Sequence, residues 1–136
     1  MKRLVLDTNI IISALIKDST TRDIIFHLDV EMYFLPFSQN ELKKYEEYIL
    51  QKTKKSKEEL HYILEKISER GIIVEEKIIV LKMPEAKKIM DGIDPDDTPF
   101  IAAALALHAD IWSDDKHFEK QNMIKIWKTK DFLKFI

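Results

Sequence analysis

Leu4-Val5-Leu6-Asp7-Thr8-Asn9 is the stretch on which the reading of this chain turns. Three apolar residues in a row, with no polar alternation, fit a strand buried on both faces, as in a parallel sheet. An acid closes that run, and a helix is expected from about Asn9 to Ile16. A strand that ends in Asp and passes at once into a helix sets a carboxylate at the carboxyl edge of a sheet. Open α/β sheets bind their ligands there.

Outward from this point, strand and helix patterns alternate. Thr20 to Leu28 reads as a helix, and Met32 to Leu35 as a strand closed by Pro36. Helical spacing runs from Ser38 to Lys54, with Leu42, Tyr45, Ile49 and Leu50 on one side. It resumes from Ser56 to Arg70, with Leu60, Ile63, Leu64 and Ile67 inward and Gly71 placed as a C-terminal cap. Ile72 to Val74 is a third strand, which Ile78 to Leu81 either extends or follows as a loop. Pro84 suits the first turn of a short helix ending near Gly92. Thr98 to His108, through Ala102-Ala103-Ala104-Leu105-Ala106, predicts a slim helix lying close to the sheet. Ile111-Trp112 is a strand ending at Ser113, Ile124 to Trp127 the last strand, and Phe132 to Ile136 a terminal helical turn. The alternation predicts an α/β fold with a parallel sheet of four to five strands covered on both faces. With no repeat and no linker-like tract, residues 1–136 are expected to form a single domain.

Composition excludes several chemistries. The chain has no Cys, which removes disulfides, thiolate nucleophiles and Cys-ligated zinc. Its two glycines, Gly71 and Gly92, cannot build a Gly-rich phosphate loop. No apolar run approaches the ~18 residues that a membrane helix needs, and no signal-peptide layout opens the chain, so the cytoplasm is the expected location. A formal charge of −2 does not suit nucleic acid, but the charges are segregated. Lys43, Lys44, Lys52, Lys54, Lys55 and Lys57 form a basic district, whereas Asp91, Asp94, Asp96 and Asp97 form an acidic one.

The acids carry the functional argument. Asp7 follows the first strand, Glu41 lies in the first helical turn after the second, Asp97 opens the Ala-rich helix, and Asp115 follows the Ile111-Trp112 strand. All four fall at one edge of the expected sheet. Carboxylates crowded there repel one another unless a cation intervenes. Oxygen-only donors favour hard Mg²⁺ or Mn²⁺ over zinc. Such a site activates water and holds a phosphodiester. Each acid also has a plain structural reading: Asp7 as a helix cap, Glu41 in the capping box Ser38-x-x-Glu41, Asp97 as an N-cap, and Asp115 as a loop acid beside Asp114. Their agreement in placement is what favours function.

With these residues in view, the chain resembles the PIN-domain nucleases. The resemblance is carried by Leu4-Val5-Leu6-Asp7-Thr8-Asn9, by Ser38-Gln39-Asn40-Glu41-Leu42, by Asp97-Thr98-Pro99-Phe100-Ile101-Ala102-Ala103-Ala104, and by Ser113-Asp114-Asp115-Lys116-His117-Phe118, in family order from Leu4 to Trp127. It implies a three-layer α/β/α sandwich and a Mg²⁺- or Mn²⁺-dependent endoribonuclease. It implies that Asp7, Glu41, Asp97 and Asp115 are the catalytic, metal-holding acids. Asn9 and Ser113 look like the polar residues that support them. The extra acids Asp94, Asp96 and Asp114 depart from the pattern, since a neighbour could replace a ligand or join through water. The long Lys-rich helical pair from Ser38 to Arg70 also departs from it. Small toxins of the VapC type are similar in size, which raises an antitoxin and a homodimer as expected partners alongside RNA.

Other residues read more plainly. The lysines between Lys43 and Lys57 could guide RNA, although a solvated surface balanced by Glu46, Glu47, Glu58 and Glu59 explains them slightly better. Trp112, Trp127 and Phe118 read as packing, Tyr45, Tyr48 and Tyr62 as candidates for a protein interface, and His117 as a surface residue near the site. A phosphatase would show Asp-x-Asp after its first strand, and a receiver domain adjacent acids; Asp7-Thr8-Asn9 offers neither. A DNA-directed nuclease and a non-catalytic PIN-like module are the remaining alternatives.

Overall fold

In the computed structural model, which describes residues 2–16 and 20–135, the first strand occupies the middle of the sheet. Strand β1 (Arg3–Leu6) is flanked by β2 (Glu31–Phe34) and β4 (Asp110–Trp112), with β3 (Gly71–Ile73) and β5 (Ile126–Trp127) at the edges, in the order β3-β2-β1-β4-β5. Every pairing is parallel, and Val5 lies level with Tyr33 on one side and Ile111 on the other. Side chains alternate between faces as a pleated strand requires. Leu4, Leu6, Met32, Phe34 and Trp112 enter one core, whereas Val5, Tyr33, Leu35 and Ile111 enter the other. Leu4-Val5-Leu6 is apolar throughout because neither face of β1 meets water.

Helices α1 (Thr8–Ile16), α2 (Thr20–His27), α3 (Pro36–Lys44), α4 (Glu46–Lys52) and α5 (Lys57–Glu69) cover the first face. Helices α6 (Glu76–Ile89) and α7 (Thr98–Leu107) cover the second. The result is the three-layer α/β/α sandwich with a five-stranded parallel sheet. Ala102, Ala103 and Ala104 are fully buried, so α7 lies close against the sheet and α6. Among the described residues no helix is long and apolar enough to cross a membrane.

Several local expectations are corrected. The helix from Ser38 to Lys54 is two segments that meet at Tyr45 (φ −99°, ψ 8°), and its first turn begins earlier, at Pro36. Ser38 is therefore inside α3 rather than a cap; it is buried, and its hydroxyl pairs with that of Thr8 at 2.7 Å. Ile78 to Leu81 is neither strand nor loop, and Pro84 does not start a helix; both lie within α6. Pro84 lacks the N–H that Val80 would otherwise receive, but both residues are exposed, so water can satisfy that carbonyl. The inward stripe Ile79, Met83, Ala86, Met90 has helical spacing and packs on α7, which outweighs the proline. Gly71 is not a left-handed cap. It opens β3, where a Cβ would come within 2.3 Å of the Phe34 ring. The left-handed cap occurs instead at His108 (φ 51°), after which the Ala109 N–H reaches the Ala104 carbonyl at 2.9 Å. The closing strand covers only Ile126–Trp127, and the terminal turn is a 3₁₀ helix over Thr129–Phe135; Ile136 lies outside the described residues.

Candidate active site

The parallel sheet delivers β1 and β4 side by side, and both end in polar residues at the same edge. Asp7 leaves β1 with its N–H still bonded to the Trp112 carbonyl at 3.1 Å. Its carboxylate accepts the backbone N–H of Asn9 and, at 2.8 Å, the hydroxyl of Ser113. Capping α1 and facing the site are thus compatible for one side chain. Asn9 itself is exposed. Ser113 is fully buried, and its oxygen also accepts the Asp115 N–H at 3.0 Å, so one hydroxyl ties Asp7 to the Asp115 loop.

Asp115 in turn accepts the His117 N–H at 2.9 Å and starts a 3₁₀ turn over Lys116–Lys120. Phe118, fully buried, anchors that turn edge-on against Phe100 of α7 with ring centroids 6.3 Å apart. Glu41 follows Ser38 by one helical turn, and the Thr8–Ser38 hydroxyl pair fixes α3 beside α1. The charge of Glu41 acts on Asp7.

Across the mouth, a 3₁₀ turn over Pro95–Asp97 leads into α7. Asp94 caps this turn through the Asp96 N–H at 3.0 Å. Asp97 precedes α7 in helical conformation (φ −86°, ψ −14°), and its side chain makes no capping bond. Its Oδ2 is buried without any hydrogen-bond partner. The imidazole of His117 faces this group: Nδ1 is 3.4 Å from Asp115 Oδ1, 3.5 Å from Asp94 Oδ2 and 3.7 Å from Asp97 Oδ2. These are close approaches rather than hydrogen bonds, since that nitrogen too has no hydrogen-bond partner.

Burial is the main reason that Asp7 is pushed up to about 6; Ser113 and Asn9 oppose the shift, and Asp115 and Glu41 add to it. Asp97 is pushed up to about 7, first by burial and then by Asp115, Asp94 and Asp7, with His117 pulling the other way. Asp97 feels Asp115, Asp94 and Asp7, and Asp7 feels Asp115 and Glu41, so acids from separate elements act on one another at this edge; the group whose ligand atoms lie close together is Asp94, Asp97 and His117. Asp96 is exposed, and Asp114 is turned elsewhere, its oxygens accepting the Thr129 N–H at 2.8 Å and hydroxyl at 2.7 Å.

His117 is the residue that sequence reasoning undervalued. It is only partly exposed and faces three carboxylates instead of standing free on the surface. Its spacing from Asp115 was the available signal, because an Asp that accepts the N–H two residues on turns that residue back toward itself. A divalent cation fits this neighbourhood: the donors are carboxylate oxygens and one imidazole nitrogen, and two of these atoms are buried and unpartnered. Away from the edge, the Lys44 ammonium lies 5.5 Å from the Tyr45 ring centroid and that of Lys52 5.6 Å from Tyr48, on the exposed side of α3 and α4.

Comparison with known proteins gives a consistent fold. A family model described as "PIN domain" matches residues 5–134. No curated protein matches the sequence. Among solved structures, the chain is similar to VapBC2 from Rickettsia felis bound to a DNA fragment from their promoter, with TM-score 0.67, 18% identity, and 93% of this chain and 98% of that chain covered. It is similar to DNA-bound VapBC from Salmonella typhimurium, with TM-score 0.70, 17% identity, and coverage of 95% and 99%. A third similar structure is FitAcB from Neisseria gonorrhoeae, with TM-score 0.58, 13% identity, and coverage of 93% and 98%.

Proposed function

The chain belongs to the PIN-domain family, and from that premise we propose that it is a metal-dependent endoribonuclease, a hydrolase of RNA phosphodiester bonds in a single domain of residues 1–136. The observation that carries this reading is that Asp7 and Asp97, at the carboxyl edge of the sheet, are both pushed above the usual carboxylate range, first by burial and then by neighbouring acids that include Glu41, Asp94 and Asp115. A set of acids so costly to ionise together fits a cation that repays the charging. Asp7, Glu41, Asp97 and Asp115 are the residues assigned to hold Mg²⁺ or Mn²⁺. Bound there, such an ion supplies charge neutralisation at the phosphodiester and makes water more acidic. Ser113 orients Asp7 and the Asp115 loop together, and the Asn9 N–H also bonds the Asp7 carboxylate. Asp114, expected beside them, is assigned to bracing Thr129.

Cleavage mapping on total RNA, with wild type and Asp7→Asn side by side in Mg²⁺ and in Mn²⁺, tests the assignment. Wild type cuts RNA at discrete positions. The variant, folded by circular dichroism, loses more than about a hundredfold in rate, because the metal's stabilisation of the transition state amounts to several kcal/mol. Full activity in the folded variant would refute the assignment. Cutting confined to single-stranded DNA would redirect it to a DNA nuclease, and metal binding without cutting to a binding module.

The similarity to VapBC proteins supports an antitoxin protein as partner. The product of an adjacent gene, small, basic and DNA-binding, is then expected to co-purify with this chain. The family resemblance supports a homodimer, for which the mass in solution is twice 16.1 kDa.

A further inference from the structure

Asp94, Asp97 and His117 each offer one ligand atom, and these atoms all lie within 4.8 Å of one another. Around an octahedral cation with ligands at about 2.0–2.2 Å, neighbouring donors are ~3 Å apart and opposite ones ~4.3 Å. The 3.5 Å and 3.7 Å from Nδ1 to Asp94 and Asp97 exceed the neighbouring-donor spacing by roughly half an ångström, so a bound ion would draw these atoms slightly together. Two features mark this as more than crowded acids. Asp97, 8% exposed, aims a buried and unpartnered oxygen into the group, and the imidazole presents an equally unpartnered nitrogen to it. The backbone that carries the ring is also held, by the His117 main-chain N–H on Asp115 and by the next residue, Phe118, packed edge-on against Phe100.

We propose that Asp94, Asp97 and His117 form a mixed oxygen–nitrogen position for a divalent transition metal, with His117 Nδ1 as a direct ligand, so that the protein selects Mn²⁺ over Mg²⁺. This rests on the metal-dependent reading above and adds the ligand that decides between its two ions. Mg²⁺ keeps an oxygen shell of carboxylates and water. Imidazole suits transition ions and adds little for Mg²⁺. His117 therefore tilts the site toward Mn²⁺, whereas carboxylates alone would serve both.

The test is pulsed electron paramagnetic resonance of the full chain loaded with Mn²⁺. Wild type shows ¹⁴N modulation of the Mn²⁺ signal, which changes to the ¹⁵N pattern when histidine is ¹⁵N-labelled. In His117→Ala the nitrogen signal disappears and Mn²⁺ binding, measured by calorimetry, weakens by about tenfold or more. Mg²⁺ binding changes far less, so the ratio of the two affinities falls. Mn²⁺ bound without nitrogen modulation in wild type overturns this proposal and leaves the carboxylate site standing. Failure to bind Mn²⁺ or Mg²⁺ at all overturns both. The labelling arm needs only wild type, so the proposal stays testable if the variant fails to fold.

Discussion

The two sides of the acidic edge are built on opposite principles. On the strand side, the Asp7 carboxylate is matched to donors, namely the Ser113 hydroxyl and the Asn9 N–H, and Ser113 passes the connection on to Asp115. On the helix side, Asp97 faces Asp94 and His117 with a buried oxygen that nothing satisfies. The first side fixes geometry; the second stores unrelieved charge. The difference appears in the acids themselves: donors restrain the upward shift of Asp7, while three neighbouring carboxylates add to that of Asp97.

If that contrast is right, Asp97→Asn separates the two roles. Cleavage should fall more than about a hundredfold with the loss of a ligand, yet the metal-free protein should become more stable. The sign follows from linkage: a carboxylate whose pKa rises on folding binds its proton more tightly in the folded chain, so stability falls as pH rises from about 4 to about 7. Thermal melts at pH 8 without divalent ions should show the variant above wild type, with the gap closing near pH 4. A variant that melts lower at pH 8 would break the comparison.

Ser113→Ala probes the matched side. It removes the bond that holds Asp7 down, so the Asp7 pKa rises beyond about 6 and the acid limb of the cleavage profile moves to higher pH. The loss of a buried hydroxyl with two partners costs about 1–3 kcal/mol, read from denaturant unfolding, and cleavage at pH 7 falls by roughly tenfold. An unmoved pH limb would show that Ser113 does not set Asp7. The smallest effect belongs to Asp114→Asn, which lies outside both sides. Stability should drop by about 1 kcal/mol through the weakened Thr129 bonds, with cleavage and metal affinity unchanged. A loss of metal affinity there would return Asp114 to the site.

What was legible in the sequence had short-range causes. Leu4-Val5-Leu6-Asp7 announces a central strand because burial on both faces leaves no room for polar alternation, and the alanines after Asp97 announce a helix packed close to the sheet. The misreadings came where distant partners overrode local preference. Ser38 and Glu41 have the capping-box spacing, but the Thr8 hydroxyl, 30 residues away, claims Ser38. Pro84 looks like a helix start, but packing against α7 carries α6 through it. Gly71 stands at a helix end for the sake of Phe34 on the neighbouring strand. His117 escaped because two of the carboxylates it faces, Asp94 and Asp97, stand at the two ends of the turn that leads into α7, far upstream in sequence.

The bond from Ser113 to Asp7 spans 106 residues, and β1 has a parallel neighbour in β4 only once Asp110–Trp112 have been made. During synthesis, Asp7 must wait for the Ser113 hydroxyl that positions it. A ribosome-bound fragment ending before β4 carries Asp7, Glu41 and Asp97 but not the loop that brings Asp115. The hydrolytic centre proposed for this protein thus closes only after β4 has been made and has paired with β1.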